Sequence, residues 1–113
     1  MPPTSVPRPG VPVRGSTTGW PVMAALDLLG RRWTLRVIWE LQQQPAGFRE
    51  LRRRCDSMSS SVLAERLRDL REAQIVSVDA DGVYHLTSLG ERLHSALAPL
   101  QDWAGAWAEQ LRS

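Results

Sequence analysis

The sequence predicts a mainly α-helical, α+β domain, and three observations support this prediction. Residues 57–76 open with serines and then repeat leucine at spacings of four and three, which is typical of one amphipathic helix. Asp81-Gly82 stands between two short apolar runs, which indicates a β-hairpin. A sustained apolar stripe near the C-terminus indicates a long last helix.

The chain before this stretch is expected to form two helices. Residues 20–29 are predicted as the first, with Pro21 in its first turn and Gly30 as its C-cap. Trp33 is predicted to open the second, which Pro45 and Gly47 end. The buried stripe is predicted as Val22, Ala25, Leu26 and Leu29 in the first helix and as Trp33, Val37, Ile38 and Leu41 in the second. Leu35 and Trp39 widen the apolar surface of the second helix, which is therefore expected to lie centrally in the fold.

A short third helix over residues 48–54 and a recognition-type helix over residues 59–73 follow. Phe48 and Leu51 are expected to point inward from the third helix. Ser57 or Ser59 can cap the recognition helix, because a serine oxygen accepts a hydrogen bond from an exposed backbone N–H of the first turn. The pair therefore predicts a helix-turn-helix.

The hairpin and the last helix complete the expected order. Residues 75–78 and 83–86 are predicted as two strands, and Thr87 is predicted to cap a helix that runs to about Leu111. Pro99 lies inside that helix and is expected to bend or restart it. This order is that of a winged helix-turn-helix with a two-stranded β-hairpin wing and a long C-terminal dimerisation helix.

Length and composition limit the possibilities further. A chain of 113 residues is expected to form one domain with a modest core. Residues 1–19 contain five prolines among Gly, Ser and Thr, and are predicted to be a disordered arm in front of a domain spanning residues 20–113. No apolar run reaches the roughly 18 residues that a membrane helix needs, so a cytoplasmic protein without membrane association is expected.

The net charge and the single cysteine restrict the possible functions less than length does. The net charge is only +2, and all 14 basic residues are arginine, which suits bidentate phosphate and guanine contacts but also follows from a GC-rich genome. Cys55 is the only cysteine, so an intramolecular disulfide is impossible. With one cysteine and two histidines, no zinc-ligand spacing exists, and neither a metal nor a cofactor is expected.

Several segments in this order resemble the HxlR-type transcriptional regulators. They are AALDLLGRRWTLRVIWEL (24–41), GFRELRRRC (47–55), MSSSVLAERLRDLREAQIV (58–76), YHLTSLGERL (84–93) and the late Trp103. The resemblance covers residues 20 to about 107 and implies a MarR-like fold with dimerisation helices at both ends. It also implies a bacterial DNA-binding transcriptional regulator that acts as a homodimer. Such a dimer should prefer a palindromic operator with half-sites about 34 Å, or a multiple of it, apart.

Two departures from the family pattern affect its expected properties. Members often carry a cysteine where this chain has Trp20, and in some of them it senses oxidants or electrophiles, so thiol sensing at this position is excluded here. Cys55 lies beside three arginines that could lower its pKa, so it is either a redox thiol or a structural residue. Asp79 and Asp81 at the hairpin tip replace the family's basic residues, and an acidic tip would repel phosphate.

The resemblance assigns DNA contacts to two groups of residues. Base edges would be read from the start of the recognition helix, where small or polar side chains allow close approach. The alternative for any arginine is a surface ion pair, such as Arg68 with Glu72. The predicted base-reading residues are Ser59, Ser60, Ser61, Ala64, Glu65 and Arg68, and the predicted phosphate-binding residues are Arg31, Arg32, Arg49, Arg52, Arg53 and Arg66.

The five tryptophans allow two interpretations. They could line a pocket for an aromatic small-molecule effector, or they could pack tightly in the dimer seam. The residues concerned are Trp20, Trp33, Trp39, Trp103 and Trp107.

The sequence is compatible with one other function class and speaks against another. A winged-helix protein-interaction module with weak or no specific DNA binding is the alternative to a regulator of double-stranded DNA, and the acidic hairpin tip favours it. An enzyme is not expected, because the sequence lacks an acid pair, a nucleophile-and-base spacing and a phosphate-binding glycine loop.

Overall fold

The computed structural model describes residues 6–13 and 19–113 and confirms the mainly α-helical winged helix-turn-helix. Within the described residues, no helix is both long and apolar enough to span a membrane. In chain order the elements are α1 (Pro21–Leu29), α2 (Thr34–Gln43), β1 (Ala46–Gly47), α3 (Phe48–Arg54), α4 (Ser60–Glu72), β2 (Val76–Val78), β3 (Val83–Leu86) and α5 (Ser88–Arg112).

The helix-turn-helix consists of α3 and α4. The observed bounds of α3 match the prediction, and Ser59 is the N-cap of α4, with its hydroxyl accepting a bond from the backbone N–H of Val62. Asp56 and Ser57 adopt left-handed backbone conformations, with φ of 58° and 54°. Polar residues with short side chains tolerate this region best, so this turn suits its sequence.

A Schellman motif ends α4. Gln74 is left-handed, with φ of 65°, and its backbone N–H donates to the carbonyl of Arg71. The N–H of Ile75 donates to the carbonyl of Leu70 over 2.9 Å. These bonds satisfy carbonyls at the helix end and turn the chain sharply into β2.

The sheet has three antiparallel strands in the order β1-β3-β2, one strand more than the predicted two-stranded hairpin. β2 and β3 form the predicted hairpin, with Val76 opposite Leu86. Ala46 and Gly47, expected only to follow the end of α2, form β1 and pair with Tyr84 and Val83. Two residues are too few to show an alternating pattern, so this strand could not be predicted from hydrophobic periodicity.

The core lies between α2, α3, α4 and the sheet. The leucines at spacings of four and three in α4 are buried as predicted, as are Val37, Ile38 and Leu41 of α2. Leu51 of α3 is completely buried, and Phe48 packs against the same cluster. This arrangement presents the opposite surface of α4 to the outside.

Two predictions about buried helix faces are wrong for the single chain. In α1 the buried residues are Ala24 and Leu28, whereas Val22 and Leu26 are 56% and 57% exposed and only Leu29 of the predicted stripe packs against the core cluster. In α2 Thr34 is buried, and Leu35 and Trp39 remain exposed, so this helix keeps one open apolar side. Both helices are apolar on more than one side, and spacing alone cannot decide which side faces the chain's own core.

The last helix, α5, is continuous from Ser88 to Arg112, so Pro99 does not restart it. Proline removes the bond to the carbonyl of residue 95, but Ser95 and Pro99 are exposed and water can solvate that carbonyl. The start of α5 has the predicted Thr87 cap, whose hydroxyl accepts from the N–H of Gly90 over 3.1 Å.

Part of the predicted disordered arm lies outside the described residues, namely 1–5 and 14–18. In the described part, Val6 is buried in the core cluster, and Arg8 lies 3.8 Å from the carboxylate of Glu72. The disorder of residues 1–19 as a whole stays a prediction.

Candidate nucleic-acid interface

The outer surface of α4 carries the predicted base-reading residues, all of them exposed. Ala64, Glu65 and Arg68 follow Ser61 by three, four and seven residues, so the four side chains form one stripe along the helix. The buried residues Leu63, Leu67 and Leu70 hold the opposite side of α4 against the core. The domain thus presents a narrow polar helix surface of the kind that enters a major groove.

The start of α4 is ordered by its serines. The hydroxyl of Ser59 caps the helix and also lies 2.9 Å from the hydroxyl of Ser61. Ser60 is exposed beside them. Short hydroxyl side chains here leave the backbone accessible for a close approach of a base edge or a phosphate.

Arg68 is exposed along 69% of its side chain and has a carboxylate neighbour, Glu65, at 3.9 Å. The alternative interpretation of Arg68 as a surface ion pair is therefore met through Glu65 rather than through Glu72. A long contact between two exposed groups contributes little to stability. Arg68 can therefore leave Glu65 for a base or a phosphate at small cost.

The arginines of α3 differ in how far their charge is neutralised. Arg53 and Arg54 both donate to the carboxylate of Glu50, whose pKa is lowered to about 2, chiefly by the hydrogen bond from Arg53. Arg52 donates from Nε to the carbonyl of Met58 over 2.6 Å and so braces the turn before α4. Arg49 is exposed and forms no ion pair within the described part of the chain.

Asp69 of α4 is a charged residue inside the fold, 3% exposed. Its Oδ2 atom accepts one bond from Arg31 and one from Arg66, each over 3.0 Å. The Nε atom of Arg66 also donates to the carbonyl of Arg32 over 2.8 Å. Two predicted phosphate-binding arginines are thus engaged inside the protein, and Arg32 is exposed beside them. We name Arg31, Arg66 and Asp69 the Asp69 clamp.

Sequence reasoning missed the Asp69 clamp and a second bridge made by Arg36. Arg36 donates to Glu40, to Asp56 and to the carbonyl of Arg54, which ties α2 to the end of α3. The contacts to Asp56 and Arg54 join residues about 20 positions apart, and helical spacing carries no signal for such pairs. Asp69 carried no such signal either, because neighbouring helix residues lie about 100° apart and Asp69 therefore falls on the flank of α4, away from the side of the buried leucines.

Of the two acidic residues at the hairpin tip, Asp79 forms hydrogen bonds within the hairpin itself. Oδ1 of Asp79 accepts from the backbone N–H groups of Asp81 and Val83, and Oδ2 lies 2.9 Å from the Nε2 atom of His85. These contacts, the backbone bond from Val83 first, lower the pKa of Asp79. The carboxylate therefore stays charged at the tip of the wing.

The five tryptophans do not come together in the single chain. Trp39 packs on His94, with ring centroids 5.9 Å apart, beside a cavity of about 330 Å³ between α2 and α5. Trp103 and Trp107 stack on each other and are more than half exposed. Trp20 is 65% exposed at the start of α1, and Trp33 packs against the core as the N-cap of α2.

Cys55 is completely buried at the end of α3, and this opposes the redox-thiol interpretation. Burial is the largest influence on the thiol and raises its pKa, outweighing the nearby Arg36 and Arg54. A buried neutral thiol is a poor nucleophile. The geometry fits the structural alternative, in which Cys55 fills space in the core.

Comparison with known proteins identifies the family. The family model described as HxlR-like helix-turn-helix matches residues 28–112. The chain belongs to this family. It is a transcriptional regulator with a DNA-binding winged helix-turn-helix domain.

Relatives of known sequence or structure agree with this assignment. The HTH-type transcriptional regulator YodB of Bacillus subtilis (strain 168) is 31% identical over 101 residues, covering 84% of this chain and 90% of that protein. A crystal structure of quinone-bound YodB matches with a TM-score of 0.71 and 33% identity, over 75% of this chain and 94% of that one. A MarR-family transcriptional regulator from Enterococcus faecalis V583 matches with a TM-score of 0.72 and 28% identity, over 80% and 88%.

Proposed function

We propose that this HxlR-type regulator binds double-stranded DNA as a homodimer on a palindromic operator, with α4 of each subunit in the major groove. The observation that carries the proposal is the exposed stripe of Ser61, Ala64, Glu65 and Arg68 on a helix whose other side is fixed in the core. Related winged-helix regulators supply the precedent for the fold. Half-sites would lie about 34 Å, or a multiple of it, apart.

The proposal divides the predicted contacts by how each side chain is held. The serines at the start of α4 and Arg68 are available to base edges, and Glu65 suits the amino group of cytosine. Arg49 and Arg32 are the favoured phosphate ligands, because they are exposed and form no ion pair with a described residue. Arg52 and Arg53 already donate hydrogen bonds within the chain, and they would contact phosphate either with their remaining N–H groups or after breaking those bonds. The wing would contribute least, because Asp79 keeps a negative charge at its tip.

A salt titration of DNA binding tests the phosphate assignment. The probe is a duplex selected by the wild-type protein from a library of random sequences. Arg49→Ala should lower the slope of log affinity against log salt by about one unit per subunit, because one phosphate contact is lost. Arg92→Ala is the matched control. It removes the same charge from an exposed residue beside the C-terminal end of α4, away from the serines.

The outcomes separate the two function classes. A selected sequence that binds at least a hundredfold more tightly than an unrelated duplex supports the regulator. No enrichment, together with no retention on heparin, would favour a winged-helix protein-interaction module instead. Equal slopes for wild type and Arg49→Ala would remove Arg49 from the phosphate contacts and leave the α4 proposal standing.

The homodimer part of the proposal rests on unpartnered apolar surface at both ends of the domain. Leu100, Trp103, Trp107 and Leu111 of α5 are each at least 50% exposed and recur at helical spacing along one side. On α1, Val22 and Leu26 are also more than half exposed. Contiguous apolar surface of this kind marks an interaction site in a water-soluble protein.

We also propose an aromatic small-molecule effector at the cavity beside Trp39. Leu35, Ile38 and Leu97 make the cavity apolar, and the Nε2 atom of His94 is buried without a hydrogen-bond partner among the described residues. The relative YodB has been solved with a quinone bound. Here binding would be non-covalent, because Cys55 is buried away from this surface.

Tryptophan fluorescence tests the effector proposal. Phenols and quinones of graded size are titrated into the wild-type protein and into a Trp39→Phe variant. Saturable quenching that disappears in the variant supports a site at Trp39. A flat response across the panel, or quenching that the variant retains, would reject this site and favour packing in the dimer seam.

A further inference from the structure

The Asp69 clamp joins the recognition helix to the turn between α1 and α2. Arg66 and Asp69 are one turn apart on α4, whereas Arg31 comes from the turn that follows α1. The bond from Arg66 to the carbonyl of Arg32 adds a second link between the same two parts. No other hydrogen bond described for α4 joins it to the turn between α1 and α2.

The carboxylate of the clamp is buried and its two arginines are mostly shielded from solvent, which gives the clamp a well-defined geometry. The side chain of Asp69 is only 4% exposed, and those of Arg31 and Arg66 are 23% and 18% exposed. A buried carboxylate must keep its hydrogen-bond partners, because an unpaired charge inside a protein is strongly unfavourable. Rotation or sliding of α4 along its axis would break at least one of the two bonds. The clamp therefore resists these motions more than apolar packing alone would.

The clamp also lies beside surface that the proposed dimer would use. One cavity of about 600 Å³ is lined by Arg31, Arg66 and Asp69 together with Leu26 and Asp27 of α1. Leu26 is 57% exposed and belongs to the apolar surface assigned to the second subunit. The base-reading stripe lies about a quarter turn around α4 from Asp69, as follows from 3.6 residues per turn. The clamp thus lies between the dimer surface and the DNA surface.

We propose that Asp69 is a positioning residue that fixes the angle of α4 relative to the α1 dimer surface, and so sets the half-site spacing that the dimer accepts. This inference rests on the proposed function, since it needs a dimer with one α4 in each half-site. Asp69 does not itself touch DNA. It acts through Arg31 and Arg66, and its loss lets the two recognition helices adopt a wider range of separations.

The test measures spacing preference, which a purely structural role would leave unchanged. The probes are the duplex selected by the wild-type protein and versions with one or two base pairs added or removed between the half-sites. The wild-type protein should prefer its best spacing about tenfold over a change of one base pair. Asp69→Asn should reduce this preference to about twofold. All proteins are compared at a temperature where circular dichroism shows them folded.

Two further variants make the result specific. Arg31→Gln releases the clamp from outside α4 and should lower the preference by a similar factor, so the experiment does not depend on Asp69→Asn folding well. Asp27→Asn is the matched control. It removes a carboxylate from the rim of the same cavity, and Asp27 forms no ion pair with a described residue, so its spacing preference should equal that of wild type.

The possible results are distinguishable. If the wild-type protein selects no sequence, the proposed function fails and this inference fails with it. If the wild-type protein has a preferred spacing that Asp69→Asn and Arg31→Gln share unchanged, the positioning role alone is overturned. A loss of affinity by the same factor at every spacing would also overturn it, because that pattern describes general destabilisation.

Discussion

Two glycines of α5 should respond to alanine in opposite directions, and the reason lies in what each faces. A Cβ atom built on Gly90 would lie 2.3 Å from the backbone carbonyl oxygen of Ile75 and 3.2 Å from the Cβ atom of Leu86. The Ile75 carbonyl cannot easily withdraw, because it accepts bonds from both the N–H and the hydroxyl of Thr87. A Cβ atom on Gly105 would meet nothing within 4 Å.

At each glycine, the balance between the gain in helix propensity and the steric cost decides whether alanine stabilises or destabilises the fold. Replacing a helical glycine by alanine favours the helix by about 1 kcal/mol. At Gly90 this gain is smaller than the steric cost of overpacking against a fixed backbone, which reaches about 3 kcal/mol. We expect Gly90→Ala to lower the free energy of unfolding by about 2 kcal/mol. Gly105→Ala has no opposing clash and should raise it by about 0.5 to 1 kcal/mol.

Thermal and urea denaturation followed by circular dichroism measure both changes. For a domain of this size, Gly90→Ala should lower Tm by about 10 °C and Gly105→Ala should raise it by about 4 °C. The protein concentration must be held constant, because a dimer is stabilised by association. A Gly90→Ala variant that melts at or above the wild-type temperature would refute the described contact between α5 and the Ile75 carbonyl.

Three further predictions concern the dimer, acid stability and the thiol. Leu100→Glu should yield a 12.7 kDa monomer in sedimentation, whereas Ala98→Glu, on the other side of α5, should remain dimeric. The pKa of Glu50 is lowered from 4.5 to about 2, so its ion pairs stabilise the fold above pH 4.5 and are lost as the pH falls towards 2. Glu50→Gln should therefore flatten the loss of stability in that window, and an unchanged profile would contradict this. Cys55 should react with iodoacetamide at neutral pH only after unfolding, because it is buried and its pKa is raised.

Local patterns predicted the helix-turn-helix well, because its signals are short in range. The bounds of α3, the Ser59 cap and the Asp-Gly hairpin each follow from residues within a few positions of one another. The exposed stripe of α4 follows in the same way, since its leucines fix which side is buried. These features carry most of the candidate DNA surface.

The remaining features depend on contacts between distant segments. The predicted inner side of α1 is wrong at Val22 and Leu26, because these side chains are at least as apolar as the buried Ala24 and Leu28. Strand β1 exists only because β3 passes beside it. The pairing of Arg31 with Asp69 joins residues 38 positions apart. Predicted phosphate contacts therefore included two arginines that the fold already uses.

The pattern of ion pairs bears on why the proposed regulator would need two subunits. Arg53 and Arg54 share Glu50, and Arg31 and Arg66 share Asp69, so half of the charge on these four arginines is neutralised within the chain. Each phosphate contact contributes a salt slope of about 0.9, and a subunit with few unpaired arginines would bind DNA weakly by charge alone. Linking two such subunits raises the affinity for a paired site by about 10² to 10⁴ without any new contact. Leu100 lies far from α4 in sequence. On this argument Leu100→Glu should nevertheless weaken operator binding as severely as the loss of several direct contacts.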